Sequence, residues 1–202
     1  MPPELRIERV TGAELEHHIP ELARLRIEVF RDFPYLYDGT PEYEARYLRT
    51  YMDSPDAVVV LAFDGDRVVG ASSALPLRHE TEEFVQPFVD AGFDPREVFY
   101  LGESVLLRPY RGRGIGVRFF AEREAHGRAL GGLRWASFCA VDRPTDHPRR
   151  PADYVPLDAF WHRRGYVKRP DLTTRYVWKD LDDMEDTAKT MTFWTKPLDT
   201  NA

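Results

Sequence analysis

The chain has 202 residues, 43% hydrophobic and 31% charged, with 34 acidic against 28 basic side chains, a formal net charge of -6 and a pI of about 5.6. This balance is that of one folded domain with a substantial core, and it excludes disordered and fibrous classes; a nucleic-acid partner is not expected, because affinity for a phosphate backbone comes from basic surface. The single cysteine, Cys139, excludes an intrachain disulfide, the charged first residues lack a signal peptide's apolar core, and the longest apolar run, residues 57–63, is too short for a bilayer, so a cytoplasmic protein with no membrane partner is expected.

Residues 5–10 read as a first strand. Thr11 and Glu14 have the spacing of a capping box, opening a helix whose stripe of Leu15, Ile19, Leu22 and Leu25 runs to about Val29, with Pro20 marking a break. A second helix is predicted over residues 41–52, carrying Tyr43, Tyr47 and Tyr51 at helical spacing. Residues 57–63 and 67–75 flank Asp64-Gly65-Asp66 and read as a β-hairpin. A short helix over 82–91 precedes a strand over 98–107, a glycine-rich loop and a helix over 115–130 that stops at Gly131-Gly132. A strand follows over 134–141. Pro144, Pro148, Pro151 and Pro156 make residues 142–156 a long ordered loop, after which Leu157, Phe160 and Trp161 define a brief helix. Two strands, 173–181 and 190–198, close the chain. No repeat or linker divides it, so residues 1–202 are expected to form a single mixed α/β domain.

The segment Arg111-Gly112-Arg113-Gly114-Ile115-Gly116 lies between a strand and a helix. Glycines let backbone approach a ligand closely, a helix start offers free N–H groups and a positive dipole end, and the arginines add charge that can be aimed at phosphate. It is not a nucleoside-triphosphate loop, which needs Gly-Lys before Ser or Thr, and it is not G-x-G-x-x-G, because the sixth position is Val117 counted from Gly112 and Phe119 counted from Gly114.

Its pattern, R-x-x-G-x-G after a strand and opening a helix, resembles the cofactor loop of the GNAT superfamily of N-acetyltransferases. Phe160-Trp161 shortly before Gly165-Tyr166 and the closing pair of strands are similar to that family too, so the likeness covers nearly the whole chain. The resemblance implies an acyl-CoA-binding fold, with a central, mostly antiparallel twisted sheet flanked by helices. It also implies acetyl-CoA as co-substrate and direct transfer of the acetyl group to an amine. Val105, Leu106 and Leu107 would pair with the pantetheine arm, and Arg111, Gly112, Arg113, Gly114, Ile115, Gly116 and Val117 would hold the pyrophosphate. No metal is implied; Asp142, Asp146, His147 and Asp153 lack regular ligand spacing.

An alkyl amine with a pKa of about 10.4 must lose a proton before it attacks. Glu103, the carboxylate within residues 100–116, is the candidate base, with a solvated strand face or pairing with Arg108 as its structural alternatives. Many members of the family carry tyrosine where Trp161 stands, and indole cannot give up a useful proton. Tyr154, Tyr166 and Cys139 could substitute, and Tyr154 is the candidate acid. The aromatic and acidic stretch from Val29 to Tyr43 and the proline-rich loop are expected to border the acceptor, a small-molecule amine. A non-catalytic acyl-CoA-binding module and a protein acceptor are the alternative readings. The last strand is where a homodimer contact would form.

Overall fold

A computed structural model describes residues 5–198. Strands β1 (Leu5–Thr11), β2 (Val58–Asp64), β3 (Arg67–Pro76), β4 (Val98–Leu106), β5 (Trp135–Val141), β6 (Val167–Trp178) and β7 (Thr187–Pro197) form one sheet in the order β1-β2-β3-β4-β5-β7-β6. Every neighbouring pair is antiparallel except β4 and β5. The hairpin reading of Asp64-Gly65-Asp66 holds: Asp64 pairs with Arg67, and Gly65 takes the positive φ (+60°) that glycine adopts most readily. Strands β2 and β3 are buried on both faces, which is why they read as continuous Val/Ala runs rather than alternating ones.

Among the described residues six α-helices cover the sheet: α1 (Glu14–Phe30), α2 (Pro41–Tyr47), α3 (Arg49–Asp53), α4 (Glu82–Asp90), α5 (Ile115–Leu130) and α6 (Asp158–His162). Leu15, Leu22, Leu25 and Arg26 form the buried stripe of α1, and Arg26 reaches Glu103 on β4. On the other face of β4, α5 buries Ile115, Phe119 and Arg123, and Arg123 reaches Ser104. The two helices thus clamp one strand from both sides.

Four local expectations are corrected. Thr11 ends β1 and Ala13 caps α1 without a side-chain hydrogen bond, so there is no capping box. Pro20 does not break α1; the carbonyl it leaves unpaired belongs to Glu16, on the exposed face where water can satisfy it. The second helix is divided at Leu48 into α2 and α3; Thr40 caps α2 by accepting from Tyr43 N–H, and Pro41 occupies the first turn. Strands β6 and β7 begin earlier than the sequence suggested. Pro170 is tolerated inside β6 because that strand is an edge, with its register shifted between Arg169 and Thr173.

Candidate active site

Strands β4 and β5 pair only through Val98–Tyr100 and Trp135–Ser137, although β4 continues to Leu106 and β5 to Val141. Beyond Tyr100 the two strands part, and the sheet carries a V-shaped opening. On the far edge of β4, Leu107 N–H donates to Val69 O at 3.0 Å. Peptide groups alternate between the two edges of a strand, so the Leu106 N–H and C=O face the opening, where the carbonyl accepts from Arg111 Nε at 3.0 Å. Of the three strand residues expected against the pantetheine, Leu106 therefore has its amide on the open side. Leu107 has spent its N–H on β3, and Val105 pairs with Ala71.

The glycine-rich loop stands at the mouth of this opening. Gly112 and Gly114 have φ of +78° and +79°, the left-handed region that a side chain disfavours, and a Cβ at either would meet nothing within 4 Å. Gly114 caps α5; Val117 and Arg118 N–H turn back to Gly114 O, which leaves the Ile115 and Gly116 amides directed outward. The Ile115 side chain anchors the turn in the core, and a Cβ on Gly116 would lie 3.4 Å from Phe160 of α6. Arg113 lies over the Tyr110 ring at 5.3 Å, Arg111 is 3.5 Å from Asp32, and Val117 is exposed. Free amides at a helix start with two guanidiniums beside them make an anion-binding rim.

On the opposite face a bulge aims the carboxylate. Ser72 pairs with Ser104 but Ala74 pairs with Leu101, so Gly102 and Glu103 together oppose Ser73. The extra residue turns both toward α1–α3. Glycine is required at position 102, because a Cβ there would lie 1.8 Å from the Tyr51 hydroxyl. Arg123 secures the bulge from behind, donating to the carbonyls of Ser73 and Glu103 at 3.2 Å each and to Ser104 Oγ at 2.9 Å. Burial lowers its pKa to about 10, so it remains a cation at neutral pH.

Glu103 is buried, not solvated, and its partner is Arg26 rather than Arg108, which instead holds Asp32 through two hydrogen bonds of 2.9 and 2.8 Å. Glu103 Oε2 accepts from Arg26 Nη1 at 2.8 Å and from the Tyr47 hydroxyl at 3.2 Å. Arg26 also donates through Nε to Glu44, whose other oxygen accepts from Tyr37 at 2.8 Å. Burial alone would lower the Arg26 pKa, but attraction from Glu103, Tyr47 and Glu44 overrides it and holds the guanidinium charged. Three buried side-chain polar atoms lack a partner among the described residues, Ser72 Oγ, Arg164 Nε and Glu103 Oε1; the last alone belongs to a residue of the cavity wall.

That cavity, with its open mouth included, has about 570 Å³ free of protein atoms. Its walls come from α1 (Arg26, Phe30), the following loop (Tyr35, Tyr37), α2 (Tyr43, Tyr47), β4 (Tyr100, Glu103) and β6 (Tyr176, Trp178), with Phe84, Cys139 and Met191 closing it. The stretch 29–43 contributes Phe30, Tyr35, Tyr37 and Tyr43, whereas Asp32 and Asp38 are held by Arg108 and Lys179 outside the wall. The proline-rich loop does not line the cavity. Its Arg143 props the wall by donating to Pro34 O, Tyr35 O and Asp180. Tyr154 is likewise off the wall, half-buried, with its ring edge-on to Phe33 at 4.7 Å and under Arg150. Glu103 and Tyr154 are thus not brought together in one pocket.

Cys139 is in the wall, but burial pushes its thiol up to about 12 and it sits 3.1 Å from the Tyr100 hydroxyl. Tyr166 is a core residue, its hydroxyl on Glu124 at 3.0 Å, and half-buried Trp161 packs against the core on Phe138 and Trp194 at 5.1 Å each. Among the described residues no group of three or more His, Cys, Asp or Glu side chains could hold a metal ion, and no helix is long and apolar enough to cross a membrane.

The fold is shared with solved acetyltransferases at low sequence identity. A ribosomal-protein-alanine N-acetyltransferase from Brucella melitensis aligns with TM-score 0.61 at 17% identity, over 95% of this chain and 99% of that one. The yncA protein of Salmonella typhimurium, solved with its cofactor acetyl-CoA, aligns with TM-score 0.59 at 11% identity over 98% and 96%. An acetyltransferase from Thermus thermophilus aligns with TM-score 0.56 at 21% identity over 98% and 99%. No curated protein sequence matches the chain. The model of the acetyltransferase (GNAT) family matches residues 22–151, from the middle of α1 through α5, β4, the bulge and the glycine-rich loop, and the chain belongs to that family of acetyl-CoA-dependent acyltransferases.

Proposed function

We propose that the protein transfers an acetyl group from acetyl-CoA to the amine of a small molecule bound in the aromatic cavity, with Glu103 as the base. The observation that carries this reading is the buried, unpartnered Oε1 of Glu103, a residue of the cavity wall on the strand that opens away from β5. Family membership supplies the co-substrate, whose chemistry is an acetyl group activated as a thioester. The residues at the opening fit it: Gly112, Gly114 and the outward amides of Ile115 and Gly116, flanked by Arg111 and Arg113, would hold the pyrophosphate, and the Leu106 peptide group would pair with the pantetheine arm.

The chain's own groups then divide the work. Glu103 Oε1 accepts a proton from the ammonium, while Arg26 and Tyr47 fix the carboxylate through Oε2. The Leu106 N–H, on the edge of β4 opposite the Leu107 N–H that donates to Val69, would donate to the acyl oxygen as it gains negative charge. A thiol with a pKa of about 8.5 leaves without much help, so Tyr154, outside the cavity wall, serves as an auxiliary acid at most.

Calorimetry tests the co-substrate site. Acetyl-CoA should bind at micromolar concentration or tighter, and Gly114→Trp, forcing a side chain onto φ +79° and into the open space above the loop, should weaken binding about 100-fold while the fold persists. Undiminished binding by the variant would remove the loop from the site.

A further inference from the structure

The cavity wall limits the acceptor in charge, in shape and in hydrogen bonding. Arg26 is the one cation among the lining residues; two of its three guanidinium nitrogens are paired, Nε with Glu44 and Nη1 with Glu103, and its Cζ lies 4.0 Å from the Tyr47 ring centroid. Two carboxylates around one guanidinium leave the site with surplus negative charge, and Glu103 Oε1 still lacks a donor. A carboxylate or phosphate on the ligand would meet net repulsion from the two carboxylates.

The remaining wall is aromatic and largely self-satisfied. Phe84 packs on Tyr100 at 5.3 Å and on Tyr176 at 5.2 Å, and Trp178 lies 6.0 Å from Tyr35 and 6.4 Å from Tyr176. The hydroxyls of Tyr43 and Tyr176 bond each other at 2.9 Å, that of Tyr37 is bound to Glu44, and Trp178 Nε1 donates to Tyr35 O at 3.1 Å. A ligand rich in hydroxyls would strand them against these rings, whereas a flat apolar body would gain edge and face contacts.

We propose that the acceptor is a monocationic primary amine on an aromatic body, without a carboxylate or phosphate. Its ammonium lies on Glu103 Oε1 and its ring against Phe84, Tyr176 and Trp178. This specificity rests on the acetyltransferase reading above. The ammonium gives one proton to Glu103, the nitrogen lone pair forms the C–N bond to the acyl carbon, and the C–S bond breaks with its electron pair on the CoA sulfur. The second nitrogen proton and the one on Glu103 leave to solvent, while the thiolate takes one proton, so one proton is released net per turnover.

The test compares kcat/KM, read as thiol release from acetyl-CoA, for 2-phenylethylamine, phenylalanine, n-butylamine and trialanine. The expected order has 2-phenylethylamine at least 100-fold above phenylalanine, which adds a carboxylate to the same body, and at least tenfold above n-butylamine, which lacks the ring. Trp178→Leu should raise KM for 2-phenylethylamine about tenfold and leave its value for n-butylamine nearly unchanged; should that variant unfold, Phe84→Leu gives the same readout. Phenylalanine or trialanine turned over as well as 2-phenylethylamine would overturn the proposal, as would equal rates for the two simple amines. If acetyl-CoA binds but none of the four is acetylated, this substrate class is wrong while the co-substrate site stands. If acetyl-CoA itself does not bind, the acetyltransferase reading fails with it.

Discussion

The two faces of β4 were built from different kinds of sequence. On the α5 face, the glycine-rich loop is six consecutive residues whose chemistry is backbone chemistry: positive φ, outward amides and flanking arginines. On the α1–α3 face, the aromatic cavity gathers side chains from separate elements, α1, α2, β4, β6 and β7 among them, between Arg26 and Met191 in sequence. The loop is exposed and can reach a ligand through its backbone; the cavity is enclosed, and its chemistry depends on which charges are paired and which are left over. The bulge at Gly102–Glu103 joins them, since it turns a carboxylate of the strand that leads into the glycine-rich loop toward the cavity.

The sharpest way to break this contrast is to disturb the buried charges. Arg26→Met removes the cation between Glu44 and Glu103 and leaves two buried carboxylates without it, so stability should fall by about 3–5 kcal/mol in urea unfolding. A loss below about 1 kcal/mol would mean that the network is wet and the cavity is not the dry compartment described.

A second disturbance uses pH. Burial, partly opposed by the Thr81 N–H, raises Glu80 to about 7. The folded state therefore holds a proton that the unfolded chain releases near the ordinary value of 4.5. The stability tied to that proton is complete below 4.5, declines as pH rises, and is gone above about 7. Glu80→Gln, neutral throughout, should gain in Tm over wild type as pH climbs through this window, with a level difference on either side. A difference that does not change with pH would place Glu80 in contact with solvent.

The smallest effect is expected at Tyr154. Its ring lies on Phe33 and outside the cavity wall, and the leaving thiolate needs little assistance, so Tyr154→Phe should change kcat by less than about threefold. A drop of 100-fold or more would restore it as the acid and would require the loop to bring it to the opening.

Legibility followed the same division. The strand–loop–helix around Gly112 and Gly114 was readable because its requirements are local: a left-handed turn, a helix start and charge at fixed spacing. The hairpin at Gly65 and the extent of α5 were readable for the same reason. Glu103 could be singled out as a charge in an apolar strand, but its partner could not, because Arg26 is 77 residues away and nothing in an amphipathic helix distinguishes a buried arginine from a surface one. Phe84, Tyr176 and Trp178 gave no signal as cavity residues, since an aromatic on a strand or helix reads as core. The missed break at Leu48 and the tolerated Pro20 show the converse: propensity signals are overruled where the neighbouring backbone can find water or a nearby turn.

The most direct test of the account is the pre-steady-state and steady-state kinetics of Glu103→Gln, measured alongside its calorimetric affinity for acetyl-CoA. Glutamine keeps the shape and can still accept from Arg26 and Tyr47, but it cannot take a proton from the amine. The account predicts acetyl-CoA affinity unchanged within about twofold and kcat lowered by about 100-fold or more at neutral pH, in the range typical of general-base loss. A variant that binds acetyl-CoA and acetylates amines at the wild-type rate would contradict it, and Glu103 would then be a structural member of the Arg26 network alone.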